Sequence, residues 1–281
     1  MAAPAKFADI SKAAKDLFSK NYNFGDTKLE VKTASTTGTE FTATLNKVSK
    51  TGAIAGNLET KWKYAPQNIT ITEKWNTQNQ ISLEVTSEDK IAKGLKVGFE
   101  AGISPSSGNK SAKVSTAIKQ ERFHITADLD VLAGPVVNTS AVFTHKGFLV
   151  GYDAAYNVNA SALTKSNLAA GYAAKDFTVV SVLDGARVAT SLFHTVNPAV
   201  LAAVQFSWNR NTNETTVELG GQYSVDKNTF FKGKVDGRGN LGLSFTQSLR
   251  PGVKATLSAQ IDGNNLNTDA HKLGFHLLLE A

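Results

Sequence analysis

The chain has 281 residues, a length that suits two average domains or one large β structure. It contains no cysteine, which excludes disulfides, thiolate metal sites and a cysteine nucleophile, and its net charge of +6 favours anionic partners. No apolar run approaches the roughly 18 residues of a transmembrane helix, but barrel strands give only a weak hydropathy signal and are not excluded.

The N-terminal segment carries the one helical pattern in the sequence. Apolar residues recur on one face at spacings of three and four positions, namely Phe7, Ile10, Ala14, Leu17 and Phe18. The pattern predicts one amphipathic helix over residues 6–20, and alone it fits a surface helix on a soluble core equally well. The segment lacks a secretory h-region, and its aspartates and missing arginines are untypical of a mitochondrial presequence.

After Gly25 the hydrophobic period changes from 3.6 to 2. The clearest strand is residues 123–131, where apolar and polar side chains alternate without interruption. Turn signals such as Asp184-Gly185 and Asp236-Gly237 separate such runs. The same alternation recurs over 41–45, 58–64, 81–86, 95–101, 241–245, 253–261 and 273–279. With no linker or helix-length segment after residue 25, the sequence predicts one continuous sheet.

The charged face of these strands decides how that sheet is arranged. A spanning strand and its connection take roughly 12–16 residues, so residues 26–281 accommodate about 16–21 strands. A sheet of that size splits into a sandwich or closes on itself, and a sandwich would have to cover its inner faces. Apolar and charged faces alternate as in a barrel with lipid outside and water inside. We therefore predict an all-β transmembrane barrel over 26–281, preceded by a helix and linker over 1–25.

Several short motifs resemble the voltage-dependent anion channel family, the porins of the mitochondrial outer membrane. The resemblance runs end to end and is carried by Phe7-Ala8-Asp9-Ile10, Thr72-Glu73-Lys74-Trp75-Asn76-Thr77, Gly94-Leu95-Lys96, Leu249-Arg250-Pro251-Gly252-Val253-Lys254 and His271-Lys272-Leu273-Gly274-Phe275. It implies a 19-stranded barrel with parallel first and last strands, the strand number known for this channel and not one obtained from periodicity. It also implies that the helix lies inside the pore.

The function that the resemblance implies is a voltage-gated, weakly anion-selective channel of the mitochondrial outer membrane. It would pass ATP, ADP, phosphate, chloride and other small metabolites, with no enzymatic activity and no cofactor. Implied partners are membrane lipid, hexokinase-type and apoptotic regulators, and a second copy of the chain, but no nucleic acid. The family's hinge would fall at Gly25, and its outer-membrane sorting signal at Lys272, Gly274, Leu277 and Leu279.

Lysines predominate among the charges that alternation assigns to the lumen. Eleven strand lysines face seven carboxylates there, and basic rings favour the passage of anions. The candidate pore-lining and nucleotide-interacting residues are Lys12, Lys15 and Lys20 on the helix, with Lys28, Lys32, Lys61, Lys74, Lys96, Lys113 and Lys119 on the strands; Lys63, Lys232, Lys234 and Lys254 share the polar face. The alternative interpretation is that these lysines are ordinary surface charges on solvated strand faces and line no pore.

Glu73 is a charged residue at a position that the alternation assigns to the apolar face. It shares parity with Ile69 and Ile71, so its carboxylate is predicted to face the membrane. A charge facing hydrocarbon is costly and is a functional-site hypothesis by default. A position near a strand end, where the side chain reaches the interface, is the alternative.

Other functions find weaker support. Gly237-Arg238-Gly239-Asn240-Leu241-Gly242 matches a dinucleotide motif, but a strand pattern follows where that motif needs a helix, so we predict a hairpin turn. The basic residues are dispersed, which argues against nucleic-acid binding. A protein-translocating barrel of the same membrane would have an acidic lumen and a longer N-terminal extension. A soluble β-rich binding protein would show a covered sheet.

Overall fold

The computed structural model describes residues 3–36, 38–90, 92–132, 134–266 and 270–281. Within them the chain forms a short N-terminal helix followed by nineteen strands in one sheet. The strands are β1 Asp26–Ala34, β2 Glu40–Val48, β3 Ile54–Tyr64, β4 Ile69–Asn76, β5 Ile81–Glu88, β6 Leu95–Ser104, β7 Asn109–Lys119, β8 Phe123–Asp130, β9 Val136–His145, β10 Phe148–Asn157, β11 Ala162–Ala173, β12 Phe177–Asp184, β13 Arg187–Asn197, β14 Val200–Asn209, β15 Glu214–Ser224, β16 Thr229–Asp236, β17 Asn240–Arg250, β18 Val253–Asp262 and β19 Lys272–Glu280.

The sheet closes into a barrel. Each strand pairs antiparallel with its neighbours in sequence, and β1 pairs in parallel with β19, from Thr27 opposite Phe275 to Lys32 opposite Glu280. Closure leaves no strand edge unpaired, which a sheet in lipid requires. The predicted 19-stranded barrel with parallel first and last strands is confirmed. Among the described residues, no helix combines the length and apolarity needed to cross a membrane.

The N-terminal segment forms two helical pieces. A 3₁₀ turn covers Phe7–Asp9, and α1 covers Lys12–Ser19, so the prediction of one continuous helix over 6–20 is wrong. Ser11 separates them with φ −106° and ψ 19°. Phe7 packs into one apolar cluster of the wall and Leu17 into another, and such tertiary packing decides the conformation of so short a helix.

The wall has two distinct faces, as the alternation predicted. On β9, Phe143 is 51% exposed while its neighbour Val142 is 1% exposed, because successive side chains point to opposite sides. Large apolar side chains cover the outer face on strands throughout the sequence, including Phe41, Leu83, Phe99, Phe148, Leu192, Phe231 and Leu257. Such a face is stable against hydrocarbon and unfavourable against water.

The hairpins explain the false dinucleotide motif. β16 ends at Asp236 and β17 begins at Asn240, so residues 237–239 form the turn between them. The Asp236 carboxylate accepts hydrogen bonds from the backbone N–H groups of Arg238 and Asn240, both at 2.9 Å. The predicted hairpin at this position is confirmed.

The turn between β17 and β18 packs closely against the end of β19. Gly252 has φ +78°, and a Cβ there would overlap the carbonyl oxygen of Glu280. Gly185 has φ +57° with open space around it. Both alanine substitutions incur the left-handed cost of about 1 kcal/mol, and Gly252→Ala adds a packing clash of about 1–3 kcal/mol. We expect a lower midpoint of thermal unfolding in lipid for Gly252→Ala than for Gly185→Ala. Equal midpoints would contradict close packing of this turn against the end of β19.

The lumen and its N-terminal segment

The N-terminal segment lies inside the barrel. The Pro4 carbonyl is 3.2 Å from Nδ1 of His124 on β8, while Lys232 on β16 and Ser258 on β18 bond residues near the other end of the segment. One short segment reaches such distant strands only from within a closed barrel. The wall residues that it touches therefore mark the lumen face, and the opposite parity marks the outer face.

Apolar contacts hold one side of the segment to the wall. Phe7 and Ile10 pack with Val142, Leu149 and Val180. Farther along, Ala14, Leu17 and Phe18 pack with Ala203, and α1 lies against β13, β14 and β15. The lumen face is thus apolar under the segment, whereas alternation alone predicted a polar lumen face throughout.

Two wall lysines bind the C-terminal carbonyls of α1. Nζ of Lys232 donates to the backbone oxygens of Asp16 and Lys20, both at 2.8 Å, and Nζ of Lys234 donates to that of Phe18 at 2.7 Å. The Asp16 carbonyl also accepts the Lys20 N–H at 3.1 Å, and all three carbonyls lie at the C-terminal end of α1, where cations are favoured by the negative end of the helix dipole. Lys232 is only 4% exposed, so its expected role as a free charge in the lumen is corrected.

The linker after α1 is bonded to the wall at every second residue from Asn21 to Gly25. Ser244 donates from its hydroxyl to the Asn21 carbonyl at 2.6 Å, and the Asn23 N–H donates to the Ser258 hydroxyl at 3.0 Å. The Gly25 N–H donates to the Leu273 carbonyl at 3.0 Å. Gly25 has φ +78°, a conformation that favours glycine. The expected hinge residue is therefore fixed on the wall in this conformation.

Tyr22 lies between the linker and the two lysines. Nζ of Lys232 and Nζ of Lys234 are 5.2 and 4.9 Å from its ring centroid, within cation–π range. Burial raises the pKa of Tyr22 to about 12, because the phenolate is penalised away from water. The ring is therefore neutral at physiological pH.

The strand register shows which face of the wall holds the predicted pore lysines, because residues directly opposite one another on neighbouring strands share a face. Ser258 on the lumen face pairs with Gly274 on β19, and the same face continues across β1 and β2 to Lys61 on β3. Every predicted strand lysine lies on this face, namely Lys28, Lys32, Lys61, Lys74, Lys96, Lys113 and Lys119. Lys12, Lys15 and Lys20 are on the segment itself.

Most of these lysines have a carboxylate partner. Ion pairs join Lys12 to Asp9, Lys20 to Asp16, Lys28 and Lys32 to Glu30, Lys74 to Glu59 and Lys113 to Asp128, at 2.7–3.9 Å. In the described part of the chain no carboxylate lies within 4 Å of the ammonium groups of Lys61, Lys96 or Lys119. Outside the sequence-based set, the register also places four carboxylates and two basic residues on the lumen face, so the surplus of lysine is smaller than expected: Asp153, Asp184, Glu218 and Glu280, with Lys165 and Arg187.

Glu73 lies on the outer face, near the middle of β4. It is exposed between Ile71 and Trp75, and its cross-strand partners are Thr60 and Leu83. No ion pair to Glu73 occurs among the described residues. The structure thus places this carboxylate among lipid-facing side chains, where the alternation predicted it.

The residues of the predicted sorting signal divide between the two faces of β19. Lys272 and Gly274 face the lumen, while Leu277 and Leu279 pair with Leu29 and Val31 on the outer face. A Cβ at Gly274 would overlap the carbonyl oxygen of Asn23. This contact gives Gly274 a structural reason of its own, which the sequence pattern did not indicate.

A closed sheet with an apolar exterior, a charged lumen and an internal helix defines a membrane pore, a porin. A model of the eukaryotic porin family matches residues 3–274. The chain is 43% identical to the Xenopus laevis protein named non-selective voltage-gated ion channel VDAC2, and 38% identical to the human one named VDAC1, each over 100% of both chains. The chain therefore belongs to the eukaryotic porin family.

A solved structure of a mutant Rh. blastica porin also resembles the fold. It has a TM-score of 0.50 with 11% identity, over 79% of this chain and 88% of that one. At that identity the likeness supports the barrel architecture alone.

The position of Glu73 predicts an effect on stability without an effect on conduction. An ionised side chain facing lipid is destabilising, and acidic residues cost less than the ~2–4 kcal/mol of a midplane lysine or arginine. Glu73→Gln should therefore raise the midpoint of thermal unfolding in lipid and leave single-channel conductance nearly unchanged. Glu59→Gln is the matched control and should give no such stabilisation, because Glu59 lies on the lumen face of β3 between Thr42 and Lys74. A collapse of conductance in Glu73→Gln would place Glu73 in the pore.

Proposed function

We propose that this chain forms a voltage-gated channel of the mitochondrial outer membrane that passes ATP, ADP, phosphate, chloride and other small metabolites. The observation that carries the proposal is a closed barrel whose charged face lines a lumen partly occupied by the N-terminal segment. Relatives of similar length are named voltage-gated ion channels. Passage through a wet lumen requires no catalytic group or cofactor.

We propose a weak anion preference that arises from the charge of the N-terminal segment. Ion pairs neutralise many wall charges locally, so little selectivity arises from them. Lys61, Lys96 and Lys119 present ammonium groups to the lumen without a carboxylate within 4 Å in the described residues, and Glu84, Glu100 and Glu218 on the same face likewise form no ion pair there. The N-terminal segment adds four lysines against two aspartates. This net positive charge inside the lumen raises the local concentration of phosphates and chloride slightly.

A polar cleft beside the N-terminal segment could bind anions transiently during passage. It has a volume of about 610 Å³, and its charged lining consists of four lysines and three aspartates, namely Lys6, Lys15, Lys113, Lys165, Asp128, Asp153 and Asp184. Lys165 and Asp153 form an ion pair at 2.5 Å, which weakens the attraction for a phosphate. We propose brief nucleotide contact during passage, with no tight nucleotide site.

The remaining proposals come from the family resemblance. We propose that Lys272, Gly274, Leu277 and Leu279 direct sorting into the outer membrane. Gly25 is proposed as the family's hinge position, although it is bonded here to Leu273. Hexokinase-type enzymes would dock on the rims, which face water, and a second copy or a membrane-embedded apoptotic regulator would dock on the lipid-facing outer face. The segment already covers much of the lumen wall.

A planar-bilayer measurement tests both the channel and its selectivity. The double variant Lys61→Glu/Lys96→Glu reverses two unpaired lumen charges and should lower the anion-to-cation permeability ratio by roughly twofold or more. The reversal potential under a salt gradient gives this ratio. Lys110→Glu is the matched control because Lys110 lies on the outer face opposite Ile103, and it should leave the reversal potential unchanged. No conductance from the parent chain would refute the channel, and equal shifts in both variants would refute the lumen assignment.

A further inference from the structure

The lumen wall has a polar pocket at the end of the barrel where the linker enters β1. It has a volume of about 590 Å³, which suits a small organic ligand, and it lies on β3 to β7 close to the turns between β4 and β5 and between β6 and β7. In the described chain, the hydrogen bonds and apolar clusters that hold residues 3–20 to the wall fall on β8 to β16, away from this pocket. It is called the mouth pocket below and is defined by Asn57, Glu59, Lys74, Asn76, Ser82 and Gly102.

Short side chains form the floor of the mouth pocket. Ser82, Gly102 and Ser111 are direct cross-strand partners on β5, β6 and β7, and all three face the lumen. A Cβ at Gly102 would lie 2.6 Å from the hydroxyl oxygen of Ser111, so this hydroxyl fills the space beside the glycine. The floor therefore presents hydroxyl groups at the base of a depression.

Amide side chains form the wall of the pocket on the side of the barrel mouth. Asn57 on β3 pairs with Asn76 at the end of β4, and the Asn76 side-chain NH₂ donates to the side-chain oxygen of Gln80 at 2.8 Å. Each amide carries donors and an acceptor, so this wall can bind polar groups of either kind. Among the described lining residues the one aromatic side chain is Trp75, which faces outward, so its ring does not offer a stacking surface to a base or a sugar in the lumen.

One charged pair completes the mouth pocket. Lys74 on β4 lies opposite Glu59 on β3, and Nζ of Lys74 is 3.9 Å from a carboxylate oxygen of Glu59. That separation is longer than a hydrogen bond, and so exposed a pair contributes little to stability, so a ligand can take the place of either partner at low cost. The remaining charged lining residue, Lys110, faces outward. The lumen side of the pocket is therefore neutral overall and presents one group of each sign.

The surroundings of the pocket are balanced in charge as well. The next row of lumen side chains runs from Lys61 through Thr72, Glu84 and Glu100 to Lys113, and so adds two lysines and two carboxylates. A simple anion or cation gains little from such an environment. A zwitterion gains from both signs at once, because its carboxylate and its ammonium group can each form a charge-assisted hydrogen bond.

We infer that the mouth pocket binds small zwitterionic amino acids that have a polar side chain. Lys74 holds the ligand carboxylate and Glu59 holds the ligand ammonium group, while the amide wall bonds the ligand side chain. The inference deepens the proposed function, because it adds a class of solute that the lumen recognises. Binding stands on the geometry of the wall alone, whereas passage of the bound solute rests on the proposed channel.

Nuclear magnetic resonance of the full chain in detergent micelles tests the pocket, with glutamine as the probe. The backbone amide of Gly102 lies in the floor and reports a bound ligand. We expect its signal to shift in a saturable way with a dissociation constant of roughly millimolar order, because the pocket is open to water and salt. Lys74→Gln and Glu59→Gln each remove one charged partner of the ligand and should weaken binding about tenfold.

Lys254→Gln is the matched control for Lys74→Gln. Nζ of Lys254 is 3.9 Å from a carboxylate oxygen of Glu280, the same separation as between Lys74 and Glu59, and both lysine side chains are 49% exposed. Lys254 faces the lumen from β18, away from the mouth pocket. Its substitution removes the same charge from the lumen and should leave the affinity for glutamine unchanged.

Equal affinities for glutamine in Lys74→Gln and Lys254→Gln, or shifts that do not saturate, would overturn the site. Acetate and glycerol test the class of ligand. Acetate that binds as tightly as glutamine would show plain attraction of anions to Lys74, and glycerol that binds as tightly would show a site for neutral polyols. Either result would overturn the zwitterion assignment. A parent chain that conducts no current in a planar bilayer but shows the expected contrast between the variants would refute the channel and uphold the mouth pocket.

Discussion

Backbone pairing in lipid is the constraint on which the rest of this structure depends. A sheet in a bilayer has no water to satisfy edge amides, so it must close. Antiparallel neighbours alternate in direction, and with an odd number of strands the last runs the same way as the first. The parallel pairing of β1 with β19 is therefore a consequence of strand number. It is also where the linker enters, because the Gly25 N–H bonds the Leu273 carbonyl beside the seam.

Closure creates a lumen that wall side chains do not fill, and the N-terminal segment supplies part of the missing core. The two most deeply buried large side chains, Val142 and Val180, face inward and are covered by Phe7 and Ile10. Without the segment they would be exposed to water in the pore. The segment and the apolar lumen face of β9 to β14 thus require each other, whereas the strands from β1 to β8 keep a mainly polar lumen face.

The local sequence was sufficient to predict the features that depend on the two-residue period of strands. The outward position of Glu73, the inward position of Lys61 and the hairpin at residues 237–239 all follow from alternation and turn residues. Features that depend on distant residues could not be obtained this way. Lys232 has the parity of a pore lysine, but its partners Asp16 and Lys20 are more than 200 positions away in the chain. The break at Ser11 likewise reflects two separate apolar clusters on the wall.

Docking and helix formation are coupled in α1. The helix has eight residues, below the length that is stable alone in water, and it has neither an N-terminal side-chain cap nor a basic residue in its last turn. Lys232 and Lys234 provide from the wall the positive charge that a helix C-terminus favours. Release of α1 would therefore lose its carbonyl partners, its apolar contacts and much of its helical structure together.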